Sequence, residues 1–304
     1  MKRDQIIKNL KGVFAPVVTP FNRRGDVDEG FFRDNLNRLA GSGLSGILVA
    51  GSTGEAPYLS ENERLRLVDV ARQVVKAPEL LLVGTGLEST RATLQLSREA
   101  VARGADALLV LTPNYYKPRM DSAALVAHYR TVAAGVSRPL LVYSIPQFTG
   151  LYVDPETIGK LSRLPNVVGL KESSGKLDFV QAVLGKVRSG FRVLIGSISI
   201  LYDGLCAGGA GGVLSQANFV PTLCVALYEA FLHRRAEEAR ALQERLLPLA
   251  QKIAIPYGVP GIKAAVDWCG SHGGTPRLPL LPTSAQAKKQ IAAALREARA
   301  GLAL

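Results

Sequence analysis

Lys171 is the residue of this sequence best placed for covalent chemistry. It closes the run Val167-Val168-Gly169-Leu170, so its amine is expected at the rim of an apolar interior. Desolvation there disfavours the ammonium form and frees a nucleophile that can attack a ketone. The resulting imine withdraws electrons and turns the adjacent carbon into an enamine, a route that needs no metal or organic cofactor. The competing role is a lysine paired with a carboxylate such as Glu55 or Glu172, because ionisable networks also arise for structural reasons. Tyr143 ends the preceding apolar run, so its phenol is expected to reach the reacting atoms and move protons as general acid and base; its alternative is an aromatic filler of the same rim. Ser52 and Thr53 occupy the glycine-bounded turn Gly51-Ser52-Thr53-Gly54. Hydroxyls and exposed backbone N–H groups in such a turn suit a carboxylate, unless they only bond their own backbone.

These residues need a scaffold, and the hydrophobic pattern supplies one. Short runs that are apolar on successive residues recur at Val13 to Val18, Gly46 to Ala50, Leu80 to Gly84, Ala107 to Leu111, Leu140 to Ser144, Val167 to Lys171, Arg192 to Gly196 and Gly212 to Ser215. Such runs suit parallel strands buried on both faces, and the amphipathic stretches between them suit crossover helices. Ser60-Glu61-Asn62-Glu63 is a capping box and Asp154-Pro155-Glu156 an N-cap followed by proline, so helix starts are marked as well. Eight strand-helix units predict an α/β fold of the (β/α)₈ TIM-barrel type, with its chemistry at the C-terminal ends of the strands. A doubly wound open sheet is the competitor, but no GxGxxG follows the first strand, and Gly84-Thr85-Gly86 reads as a tight turn. Helical patterns continue over Pro221 to His233, Ala236 to Ala254, Gly258 to Trp268 and Ser284 to Ala300. Residues 1–234 are therefore expected to form a catalytic barrel and 235–304 a C-terminal helical region packed on it.

Composition narrows the function classes. With 304 residues, 47% of them hydrophobic and 20% charged, the chain is too apolar for disorder. No apolar run approaches the roughly 18 to 20 residues of a membrane helix, and the N-terminus lacks a signal-peptide core, so a cytoplasmic protein without membrane partners is expected. Three cysteines without a CxxC pair fit neither a disulfide framework nor a zinc knuckle. The net charge of +12 raises a nucleic-acid-binding alternative, but basic residues are interleaved with acidic ones on amphipathic stretches and read as solvated helix faces. The histidines His128, His233 and His272 lack metal-ligand spacing, and His128 and His233 are expected on helix surfaces, so no metal site is expected. GxSxG is absent.

Gly51-Ser52-Thr53-Gly54-Glu55, Thr112-Pro113-Asn114-Tyr115-Tyr116-Lys117-Pro118, Tyr143-Ser144-Ile145-Pro146 with Thr149-Gly150, and Gly169-Leu170-Lys171-Glu172-Ser173 together resemble the dihydrodipicolinate synthase / N-acetylneuraminate lyase family. Val17-Val18-Thr19-Pro20-Phe21 and Gly211-Gly212-Val213-Leu214-Ser215 extend the likeness over nearly the whole chain. The resemblance implies a pyruvate-dependent class I aldolase, without cofactor, that assembles as a homotetramer built from two dimers. It implies that Lys171 is the Schiff-base lysine and Tyr143 the proton-transferring tyrosine. Ser52 would link Tyr143 to Tyr115 of a neighbouring subunit, and Thr53 would bind the pyruvate carboxylate. Ser173, Phe148 and Leu214 fall with the substrate-binding residues.

The family's dihydrodipicolinate synthases carry an arginine where this sequence has Phe148, and a phenyl ring cannot make the bidentate pair with a carboxylate that arginine makes. Gly86-Leu87-Glu88-Ser89-Thr90, Tyr115 to Leu125, and Tyr257 to Lys263 with Asp267-Trp268 are similar to 4-hydroxy-2-oxoglutarate aldolase, which yields pyruvate and glyoxylate; Ser52-Thr53 and Phe148 depart from its pattern. That activity is the first expectation. Condensation of pyruvate with aspartate semialdehyde is the second, and a non-catalytic 2-oxo-acid-binding barrel the third.

Overall fold

The computed structural model describes residues 1–300. Eight parallel strands close into one barrel in sequence order, β1 pairing with both β2 and β8. They are β1 (Gly12–Pro16), β2 (Gly46–Val49), β3 (Leu80–Gly84), β4 (Ala107–Leu111), β5 (Leu140–Ser144), β6 (Val167–Glu172), β7 (Arg192–Ile195) and β8 (Gly211–Val213). All eight predicted strands form, with ends displaced by one or two residues at β1, β2, β6, β7 and β8.

The continuous apolar runs are explained by two cores, one on each face of the barrel wall. Phe14, Leu48, Leu80, Leu82, Leu109, Leu141, Val168, Leu194 and Val213 fill the interior. Their neighbours Ile47, Val49, Leu81, Val83, Leu108, Val110, Leu140, Val142, Val193 and Ile195 pack outward against the helices. Alternation of Cβ direction along each strand sends successive apolar residues to opposite faces, so both parities must be apolar. The N-terminal helix Arg3–Asn9, which the hydrophobic pattern did not announce, adds Ile6 to the interior cluster, and Leu10 after it does the same.

One irregularity decides where the catalytic candidate points. Between β5 and β6 the register runs Leu140↔Val167 and then Leu141↔Gly169, which leaves Val168 as an extra residue in β6. The bulge moves every later residue of β6 one step along, so Lys171 pairs with Tyr143 and shares its inward face. Without it, Leu170 would lie beside Tyr143 and Lys171 would face the helix layer.

After the last strand come the helices Pro221–Leu232, Ala236–Leu249, Ile255–Trp268 and Ala285–Arg299. The helix expected to run from Ala236 to Ala254 changes character at Leu249, and Ala250–Ala254 is a π-helical turn. The next helix starts at Ile255, ahead of the expected Gly258, and is broken at Gly258, where φ 54° and ψ −142° suit glycine. Leu246, Leu249, Ile253, Ala265, Ile291 and Leu295 of these helices join the outer core. Among the described residues no helix is long and apolar enough to cross a membrane.

Candidate active site

A cleft of about 590 Å³ opens at the C-terminal ends of the strands. Lys171, Tyr143, Ser52, Thr53, Ser173 and Phe148 all line it. Lys171 and Tyr143 are buried, and the lysine Nζ lies 4.2 Å from the centre of the Tyr143 ring. Ser52 Oγ is 3.2 Å from the Tyr143 hydroxyl, so the turn after β2 and the end of β5 share a hydrogen bond.

The carboxylates that could have neutralised Lys171 are engaged elsewhere. Glu55 accepts a hydrogen bond from Lys263 Nζ at 2.5 Å and another from the Arg277 backbone N–H at 2.8 Å. Glu172 points away from Lys171 along the strand, and its carboxylate accepts from the Ser174 N–H at 2.7 Å. Burial raises the Glu172 carboxyl above its ordinary range, against the opposing bonds from Ser174. Among the described residues no carboxylate oxygen lies within 4.0 Å of Lys171. The amine is therefore held over an aromatic face, without a salt bridge.

The Gly51–Glu55 turn is fixed from behind. Thr19 Oγ1 donates to the Gly54 carbonyl at 2.7 Å. Glu55 adopts a left-handed conformation, φ 58°, and its side chain reaches the wholly buried ammonium of Lys263, which also donates to the Thr275 carbonyl at 3.0 Å. Burial pushes the Lys263 ammonium down from its ordinary value while Glu55 pulls it back. Lys263 was legible only as part of a motif; its pairing with Glu55 spans 208 positions of sequence and left no local signal.

Ser173 is set by the backbone. Its N–H donates to the Ser144 carbonyl at 3.0 Å and its own carbonyl accepts from Gln147 Nε2 at 2.7 Å. Its hydroxyl is buried, has no protein partner and is turned onto Gly196 at the cleft wall. Gly196 makes this possible: a Cβ there would stand 1.9 Å from Ser173 Oγ and 2.8 Å from the Glu172 carbonyl.

Two expected residues lie elsewhere. Leu214 is a correction: its side chain is wholly buried in the outer core, because strand alternation turns it to the helices while Val213 and Ser215 line the cleft. Tyr115 is 76% exposed, stacks edge-on against Tyr116, and lies outside the cleft of its own chain. His128, expected on a helix surface, is buried, with its Nδ1 2.9 Å from Thr90 Oγ1, and burial pushes its imidazole down to about 4. Among the described residues no three His, Cys, Asp or Glu side chains converge as a metal-binding group.

Comparison with known proteins finds a family and relatives that span nearly the whole chain. The family described as the dihydrodipicolinate synthetase family matches residues 9–298. The 4-hydroxy-tetrahydrodipicolinate synthase of Archaeoglobus fulgidus is 34% identical over 288 residues, covering 94% of this chain and 98% of that protein. A probable mitochondrial 4-hydroxy-2-oxoglutarate aldolase of Emericella nidulans is 36% identical over 294 residues, covering 95% and 94%. Among solved structures, YagE from E. coli K12, a prophage protein of the dihydrodipicolinic acid synthase family in complex with pyruvate, superposes with a TM-score of 0.90 at 27% identity, covering 95% of this chain and 98% of that one.

Proposed function

The chain belongs to the dihydrodipicolinate synthetase family, and from that premise we propose that it is a Schiff-base aldolase that splits 4-hydroxy-2-oxo acids, the class of 4-hydroxy-2-oxoglutarate, into pyruvate and an aldehyde, or joins them in reverse. The observation that carries the reading is a buried lysine amine, free of any carboxylate, 4.2 Å from the ring of a tyrosine that is itself hydrogen-bonded to Ser52.

Lys171 Nζ attacks C2 of the 2-oxo acid, and loss of water from the carbinolamine leaves a protonated imine. Tyr143, whose phenolic proton leaves with that water, takes the proton of the C4 hydroxyl on its phenolate oxygen as the C3–C4 bond breaks, and that electron pair moves into the imine to give an enamine. The aldehyde departs with the C4 oxygen. Protonation at C3 and hydrolysis of the imine return the water, release pyruvate and restore the amine. The hydroxyls of Ser52 and Thr53 and the amides of their turn hold the substrate carboxylate, which fixes C2 against the lysine through both imine and enamine. Ser52 sets the direction of the Tyr143 hydroxyl, and Tyr115 of a neighbouring subunit in a homotetramer extends this relay.

Condensation of pyruvate with aspartate semialdehyde is the second reading, favoured by the name of the Archaeoglobus fulgidus relative. Phe148 argues against it, since among the described residues no guanidinium lines the cleft. Pyruvate release from 4-hydroxy-2-oxo acids, measured for the native and Lys171→Ala proteins, tests the proposal. Release by the native protein alone supports it, and full turnover by Lys171→Ala excludes it.

A further inference from the structure

The charges around the cleft are unevenly supplied. Among the described residues that line it, Lys171 alone can carry a formal charge, and the protonated imine it becomes is fixed at C2, in the pyruvate half. The hydroxyls and amides of Ser52 and Thr53 are taken by the carboxylate of the pyruvate half. What remains for the other half of the substrate is a polar floor and an apolar mouth. The floor carries Ser173 and the half-buried Gly196. The mouth is made of Phe148, Ile255 and Val259.

Phe148 and Ile255 are 107 positions apart in the sequence, yet both line this one cleft, and they are 66% and 71% exposed. Large apolar side chains left in water at the rim of a pocket gain free energy, at about 25 cal/mol per Å² of apolar surface, when a ligand covers them. A second carboxylate placed between them would lose hydration without a charged lining residue beside it to pair with. The wall is also built to hold its shape. Ile255 follows directly on the π-helical turn Ala250–Ala254, whose Ala250 and Ala254 line the cleft too, and the break at Gly258 turns Val259 into the same wall.

We propose that the group carried on C4 of the substrate is uncharged and apolar, an aryl or alkyl group, so that the aldehyde released or accepted is aromatic or aliphatic and carries no carboxylate. This rests on the aldolase reading above and selects within it. The C4 oxygen stays with the Tyr143 hydroxyl, and the apolar group lies between Phe148 and Ile255.

The test compares two aldols of pyruvate, 4-hydroxy-2-oxo-4-phenylbutanoate and 4-hydroxy-2-oxoglutarate, by pyruvate release from the native and Phe148→Arg proteins. The native kcat/KM for the phenyl compound is expected to exceed that for the dicarboxylate at least tenfold, and Phe148→Arg to invert the preference. A native preference for the dicarboxylate, or a ratio that Phe148→Arg leaves within twofold, overturns the inference. Borohydride reduction with pyruvate separates the two levels of the argument. Covalent labelling of Lys171 together with a dicarboxylate preference removes the apolar-group inference alone, whereas absence of labelling removes the aldolase reading and this inference with it.

Discussion

Removing the ammonium of Lys263 should damage the protein more than any change on its surface. Lys263 and Glu55 are 1% and 0% exposed and 2.5 Å apart, and the pair anchors the turn that carries Ser52 and Thr53. Lys263→Met leaves the Glu55 carboxylate buried with one remaining donor, the Arg277 N–H. Stranding one partner of a buried ion pair costs about 3–5 kcal/mol, roughly two to four powers of ten in the folding equilibrium at 1.4 kcal/mol per tenfold. Glu55→Gln in the same protein removes the stranded charge, keeps an acceptor for Arg277, and should recover at least half of that loss. Urea unfolding followed by the fluorescence of Trp268, the single tryptophan and a residue of the same helix as Lys263, measures both steps. A single variant within about 0.5 kcal/mol of the native protein would refute the reasoning, as would a double variant no more stable than the single one, because contacting residues that share an ion pair must couple.

Tyr143→Phe keeps the ring against Lys171 but removes the proton carrier, so kcat should fall by roughly 10²–10⁴ while borohydride still labels Lys171 in the presence of pyruvate; loss of labelling with unchanged turnover would contradict the assigned role. Gly196→Ala drives a methyl group onto the Ser173 hydroxyl, and a drop of at least tenfold in kcat/KM, with Lys171 labelling by pyruvate retained, is expected; an unchanged kcat/KM would show that hydroxyl to be idle. The imidazole of His128 is depressed by burial to about 4 from 6.5, so below pH 6.5 the unfolded chain binds a proton that the folded one refuses. Its contribution to stability is complete above that pH and is lost as pH falls towards 4. The urea midpoint of His128→Gln should therefore fall less than that of the native protein between pH 7 and 4, and equal slopes would count against the assignment.

The barrel was legible because strands buried on both faces must be apolar at every position, and that leaves a continuous run no amphipathic helix imitates. Lys171, Tyr143, Ser52 and Thr53 were legible because barrel chemistry lies at strand ends, and those ends could be counted off the runs, whereas Ser173 and Phe148 were marked by the family resemblance. What the sequence withheld depends on contacts far apart in it. The bulge at Val168 that turns Lys171 inward is invisible in a run where every residue is apolar. Leu214 was misplaced for the same reason, since only the parity of β8 tells an inward residue from an outward one. His128 was read as a surface residue because its helix is weakly amphipathic and its cover comes from Thr90, 38 positions earlier. The capture of Glu55 by Lys263 left Lys171 without a carboxylate, a result set by tertiary structure alone.

The most direct test of the whole account is a crystal structure of the native protein soaked in pyruvate. Continuous density from Lys171 Nζ to C2 of the ligand, with the Tyr143 hydroxyl beside the bond, is the predicted result. An unmodified Lys171 in crystals that still turn over substrate would contradict the account.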